Sequence, residues 1–215
     1  MKMIKALMGC LCLMTMTSCV ETGKNVDNKS CSAISQEEVS KVVIDNIMSR
    51  RSIRKYKAQI VEREILDQIM RCGINAPNGQ NKQSWEVRVV DNPQVMDEIK
   101  TALNTAYPDM PNASGCFRGA PVMVFIARAT SYDFSAYDCG LMAENMVLAA
   151  QSLGVGSICL GSPVRFINDN PACAPILERL GFSEGYELSL CVGLGYADET
   201  PEAKPRDMGK VKYVE

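Results

Sequence analysis

Residues 121–127 read Pro-Val-Met-Val-Phe-Ile-Ala, an apolar run with no polar alternation. A strand with one solvated face alternates, so this run reads as a central strand buried on both faces. The chain has 215 residues, 47% of them apolar and 22% charged, which suffices for one well-filled globular core. Helical and strand patterns flank the run. Ser35-Gln36-Glu37-Glu38 is a capping box, and Val39, Val42, Val43, Asn46 and Ile47 then recur at helical spacing, carrying a helix to Arg50. Residues 61–72 read as a second amphipathic helix with Ile65, Leu66 and Ile69 on one face, stopped by Gly73. Residues 85–90 read as a strand, and Asn92-Pro93 opens a helix whose buried stripe is Val95, Ile99 and Leu103. Residues 106–118 are irregular. Residues 132–153 are the longest helix candidate, 171–180 another, and 185–193 a strand.

The N-terminus has a different character. Lys2 and Lys5 precede an apolar run over residues 6–16, too short to span a bilayer and shaped like a signal peptide. It ends Met16-Thr17-Ser18-Cys19, which resembles the lipobox of bacterial lipoproteins, where the cysteine is lipidated. An ordinary signal peptide cut nearby, or an uncleaved anchor, fits the same pattern. Residues 20–34 are polar and read as a tether to a domain over 35–215. The expectation is an exported protein, tied to a membrane only through a lipid on Cys19.

Charge and residue usage exclude several classes. A net charge of -2 argues against nucleic-acid binding, which favours a basic domain. The chain has no histidine. That removes the usual general base, the usual zinc ligand and the Ser–His and Cys–His nucleophile pairs. An enzyme so built leaves the hard chemistry to a cofactor. Cys72, Cys116, Cys139, Cys159, Cys173 and Cys191 are widely spaced, mostly in apolar segments, and read as core filler, although export would allow some of them to pair.

Four stretches remain. Arg50-Arg51-Ser52-Ile53-Arg54-Lys55-Tyr56 gathers guanidinium forks and a hydroxyl suited to a phosphate or a carbonyl edge, or else is a solvated basic turn. Ala76-Pro77-Asn78-Gly79-Gln80-Asn81-Lys82-Gln83-Ser84-Trp85 has the small and amide side chains that read a planar heteroaromatic ring, or is a plain helix-to-strand connection. Gly154-Val155-Gly156-Ser157-Ile158-Cys159-Leu160-Gly161-Ser162 permits close backbone approach, or is a tight turn. Lys204-Pro205-Arg206, after Gly195-Tyr196 and Pro201, is by itself a charged tail.

Taken in order, these stretches resemble the FMN-dependent nitroreductase family across nearly all of residues 35–214. The resemblance implies an α+β fold: a three-layer α/β/α sandwich with a mixed, mainly antiparallel sheet, in a strand-exchanged homodimer. Residues 211–214 would be the exchanged strand. It also implies FMN as cofactor. Arg50, Arg51 and Ser52 would meet flavin phosphate or the pyrimidine edge, and Arg54 the N1/O2 region. Asn81 and Gln83 would serve from the loop, Pro77 and Asn78 the partner's site, and Asn112 the pyrimidine. Cys159, Leu160 and Gly161 would lie along the isoalloxazine, and Lys204 and Arg206 would bind the phosphate. Asn78 and Ser84 stand where the family has Ser and Pro, so a looser turn is expected at Ser84; the family's glutamate in the 154–162 segment is missing. The implied activity is ping-pong electron transfer from NAD(P)H or another reduced donor to a nitroaromatic, quinone or similar small acceptor. Outside the cytoplasm pyridine nucleotides are scarce, which favours another donor or a quinone-linked cycle. A reductive dehalogenase-like flavoenzyme, or a flavin-binding lipoprotein without turnover, are the alternatives.

Overall fold

The structure, a computed structural model, describes residues 34–215; the signal segment, Cys19 and nearly all of the tether lie outside those residues. The unit Gln36–Glu215 carries, in order, α1 (Gln36–Ser49), α2 (Arg63–Ile74), β1 (Trp85–Val90), α3 (Pro93–Ala106), β2 (Val122–Ala129), α4 (Ser135–Ser152), β3 (Gly156–Leu160), α5 (Ser162–Asp169), α6 (Ala174–Leu180) and β4 (Tyr186–Gly195). The strands pair in the order β1-β2-β4-β3, each pair antiparallel. One parallel bridge, Ser52 to Ser157, brings the segment after α1 alongside β3. No helix among the described residues is long and apolar enough to cross a membrane.

β2 is the strand expected from its unbroken apolar run, and it feeds two cores. Met123 and Phe125 join Ile99 and Leu103 of α3, Ile167 of α5 and Ile176 of α6. Val122, Val124 and Ile126 join Leu66 and Ile69 of α2 and Met142, Met146 and Val147 of α4. The period-two alternation of a strand assigns successive side chains to opposite faces, and here both faces are covered.

Several local expectations need correction. Gly73 does not stop α2; it lies inside the helix, where a Cβ would stand 2.6 Å from Met146 Cγ, so its smallness lets α2 press against α4. In α3 the buried stripe is Met96, Ile99 and Leu103, with Val95 half-buried beside it. The 171–180 helix is a 3-10 turn, Pro171–Cys173, followed by α6. Helix α5 was masked by the glycine-rich pattern before it, although Pro163 sits at its start as helices favour. All six described cysteines are free; four are buried, Cys72 is half-buried and Cys159 is exposed.

α1 buries none of its residues. It is held to α4 by Asn46 Nδ2 donating to the Leu148 carbonyl at 3.0 Å and Gln151 Nε2 to Ser49 Oγ at 3.2 Å. Its Val39, Val42, Val43 and Ile47 are exposed, as are Phe134, Tyr137 and Leu141 around α4 and Val211, Tyr213 and Val214 in the tail.

Glycine at 156 fits the segment after α1 onto the sheet. A Cβ there would come 2.9 Å from Ile53 Cγ1 and 3.0 Å from the Gly195 carbonyl oxygen. Ile53 can yield, but the backbone oxygen of a paired strand cannot. Gly156→Ala is therefore expected to cost about 1–3 kcal/mol through overpacking. Thermal unfolding should read this as a fall of about 2–12 °C in a domain of this size; an unchanged melting temperature would refute the packing argument.

Candidate functional site

The end of α1, the Arg50–Tyr56 turn and the tail meet at a cleft of about 410 Å³. Its lining includes Arg50, Arg51, Ser52 and Arg54 from the turn, Lys204 and Arg206 from the tail, and Ile47 and Met48 from α1. Glu144 of α4 and Glu202 complete the charged groups. Five basic side chains thus face two acidic ones, and none of the seven forms a salt bridge among the described residues. Uncompensated cations from distant parts of a chain repel one another, so this arrangement costs stability unless an anion sits among them.

The turn is held by the backbone. Ile53 N–H donates to the Ser157 carbonyl, Lys57 N–H to Tyr196 and Asp198 N–H to Lys55, each at 2.9 Å. Tyr56 Oη donates to the Ile53 carbonyl at 2.8 Å and closes the turn from within. Burial pushes the Tyr56 phenol well above its ordinary value, the Glu199 carboxylate adds to that and Arg54 opposes it. Tyr56 therefore stays a neutral donor at any ordinary pH.

The basic side chains differ in what they already touch. Arg51 folds back, its Nη1 donating to the Met48 and Arg50 carbonyls at 2.8 Å, so it also caps the exposed carbonyl end of α1. Arg54 Nη1 donates to the Ser52 carbonyl at 3.0 Å. Arg206 Nη1 reaches only the carbonyls of Lys204 and Pro205. These bonds leave most of each guanidinium fork for a ligand.

β3 borders the cleft but does not line it. Cys159 reaches solvent from a crowded hollow: desolvation by surrounding protein pushes its thiol up, the Arg50 guanidinium pulls it down and the Glu144 carboxylate pushes it up again. Leu160 is buried and Gly161 exposed. A cysteine reagent should modify Cys159 first in the folded protein. Cys116 and Cys139 are buried with thiols pushed up to about 12 and about 11, and should react only after unfolding. Peptide mapping after brief alkylation checks this order.

The remaining expected residues lie elsewhere in this chain. Pro77, Asn81 and Gln83 are exposed and Asn78 is half-buried, all on a loop outside the cleft lining. Asn78 Oδ1 accepts from the Gln83 N–H at 2.9 Å, so that side chain closes its own loop. Asn112 is exposed beside the Ala113–Phe117 turn, with Nδ2 over Gly115. Ser84 does not loosen the turn as expected. It is buried, and its Oγ donates to Asp138 Oδ2 at 3.0 Å while Asp138 Oδ1 accepts from the Gly79 N–H at 3.0 Å. Gly156, in the same glycine-rich segment as Cys159–Gly161, packs under Ile53.

Pattern reading missed Asp138, Glu144 and Glu199. Asp138 stands in the first turn of α4, where a carboxylate is ordinary for dipole reasons. Glu144 was the better signal, the one acid in the second half of a helix rich in Ala, Met and Leu.

The nitroreductase family matches residues 47–196, which includes the turn, the loop and every strand. A protein of Methanothermobacter thermautotrophicus, provisionally named NADH dehydrogenase/NAD(P)H nitroreductase, is 30% identical over 129 residues, covering 58% of this chain and 63% of that protein. The chain thus spans under two thirds of that relative's length. The NADPH-flavin oxidoreductase of Vibrio harveyi is 30% identical over 179 residues, covering 76% of this chain and 69% of that protein. The crystal structure of a nitroreductase with bound FMN from Desulfitobacterium hafniense superposes with a TM-score of 0.72 at 32% identity, covering 80% of this chain and 98% of that one. The match spans more than half the sequence and takes in the whole sheet: the chain belongs to the nitroreductase family.

Proposed function

We propose that this protein is an FMN-dependent oxidoreductase that passes electrons from a reduced donor, NAD(P)H or another, to a nitroaromatic, quinone or similar small acceptor in two successive half-reactions. One observation carries the reading: Arg50, Arg54, Lys204 and Arg206 line one cleft with Ser52 and form no ion pair among the described residues. That donor set fits a phosphate dianion, which takes several charge-assisted hydrogen bonds at once. Bound there, FMN supplies the electron-transfer chemistry, which suits a chain without histidine. Arg50, Lys204 and Arg206 hold the phosphate. Arg54 sets a cation near the flavin pyrimidine, where it favours the charge of the reduced ring. Cys159, Leu160 and Gly161 border the ring side.

The same proposal includes a strand-exchanged homodimer with three-layer α/β/α subunits. The exposed apolar side chains of α1, of Tyr137 and Leu141 on α4 and of the tail support it, because a soluble monomer rarely leaves so large a patch bare. Pro77 and Asn78 then serve the partner subunit's flavin, in keeping with their absence from the cleft lining of their own chain. Export with a lipid on Cys19 remains part of the proposal; NAD(P)H turnover by protein found in the cytoplasm would overturn that part and leave NAD(P)H as the donor.

An absorbance spectrum of the purified protein, with the mass of any released cofactor, tests the reading. Yellow protein with stoichiometric FMN and twice the mass of one chain in solution is expected. Colourless protein that takes up no added FMN overturns it. Steady-state oxidation of a donor separates an enzyme from a flavin store.

A further inference from the structure

The two walls of the cleft come from segments that lie far apart in sequence, Arg54 and Glu199 being 145 residues apart. What sets their spacing is a ladder that ends abruptly. Lys57 N–H bonds to the Tyr196 carbonyl, Tyr56 bridges Ala197, and Asp198 N–H bonds to the Lys55 carbonyl. After Asp198 no backbone bond among the described residues joins the tail to the turn. Pro201 and Pro205 have no N–H to offer, and Lys204 and Arg206 are exposed. The last link before the phosphate-facing residues is a side chain. Glu199 Oε1 accepts from the Arg54 N–H and from the Lys55 N–H, the latter at 3.1 Å. One oxygen thus fixes two successive amides of the basic turn.

We infer that Glu199 is the positioning residue of the cleft: its carboxylate clamps the backbone at Arg54 and Lys55 and so sets the gap between the Arg50–Arg54 wall and the Lys204–Arg206 wall. Its role toward FMN rests on the reading proposed above. Electrostatics alone gives the opposite expectation, which makes the inference decidable. A carboxylate beside an anion site repels the phosphate, so if Glu199 contributed only charge, its removal would tighten FMN binding. As a clamp, its removal weakens binding.

The test uses the full chain with Glu199→Ala, Glu199→Gln and Glu199→Asp. Gln keeps the length and an accepting oxygen without the charge; Asp keeps the charge and is one methylene short. FMN affinity is read by flavin fluorescence, and amide exchange at Arg54 and Lys55 is read without flavin. In Glu199→Ala, and to a similar degree in Glu199→Asp, affinity is expected to fall about tenfold, the scale of one lost charge-assisted hydrogen bond. Exchange at the two amides rises about tenfold or more in the same variants. Glu199→Gln stays within about threefold of the parent in both readouts. Unchanged or tighter FMN binding in Glu199→Ala, or recovery by Asp but not Gln, overturns the inference. If the parent itself takes up no FMN, the cofactor reading fails by itself. The exchange then decides the clamp: faster exchange in Glu199→Ala upholds it and unchanged exchange overturns it.

Discussion

Lys204→Glu combined with Arg206→Glu is expected to reduce bound FMN in the purified protein to traces, while the melting temperature of the flavin-free protein moves by no more than about 2 °C from that of the flavin-free parent. The two effects separate because of where these side chains sit. Both are exposed on the tail, and among the described residues the only protein partners of the Arg206 guanidinium are carbonyls of its own segment. Nothing in the core depends on them. The cleft depends on them heavily. Five basic and two acidic side chains line it, and the double reversal leaves three basic and four acidic. Each charge-assisted hydrogen bond to a phosphate is worth about 1.5–3 kcal/mol, so losing two weakens FMN by about 100-fold or more even before repulsion is added. Repulsion is screened by salt, whose Debye length falls from about 10 Å at 0.1 M to about 3 Å at 1 M. The variant should therefore recover a part of its affinity at high ionic strength, whereas the parent should lose some. A fluorescence titration at two salt concentrations reads both. Parent-like FMN content in the double variant would show that the phosphate lies elsewhere.

How much of this was legible in the residues depends on whether the interaction was local. β2 was plain because seven consecutive apolar residues have one physical explanation, burial on both faces. The start of α3 was plain because Asn92 caps and Pro93 follows; in the structure Asn92 Oδ1 accepts from the N–H groups of Gln94 and Val95. Gly73 misled because a glycine late in a helix pattern reads equally well as a stop or as a close approach, and only the partner helix decides. The convergence of Arg50, Arg54, Lys204 and Arg206 on one cleft was accessible through the order of the motifs, not through periodicity. The acid that clamps the turn was not accessible. Glu199 lies in Ala-Asp-Glu-Thr-Pro-Glu, a stretch that looks like a solvated tail until its ladder with residues 55–57 is seen. Long-range clamps leave no periodic trace in the chain that makes them.

Asp138 is the strongest example, and Asp138→Ala carries the largest expected loss of stability among these variants. Its carboxylate is buried, 3% exposed, with one oxygen accepting from the Gly79 N–H and the other from Ser84 Oγ. The loop it grips is not one the chain would choose. Gln80, Asn81 and Gln83 all take left-handed backbone, with φ of 55°, 52° and 49°. Such conformations cost non-glycine residues about 1 kcal/mol or more each and persist only where surroundings impose them. Removing the carboxylate frees the strain but orphans two donors, and the Ser84 hydroxyl is itself buried. Each unsatisfied buried donor costs about 1–3 kcal/mol, so a net loss of about 3 kcal/mol is expected. Thermal unfolding should show a fall of about 6–12 °C. Asp138→Asn provides the control. Its amide oxygen still accepts from Gly79, and the Ser84 hydroxyl can turn to accept from the amide nitrogen, so less than half the loss is expected. If the clamp is geometric, limited proteolysis should cut Asp138→Ala within residues 77–83 well below its melting temperature and spare Asp138→Asn. Equal losses in the two variants would mean that the charge, in the first turn of α4, mattered more than the grip on the loop.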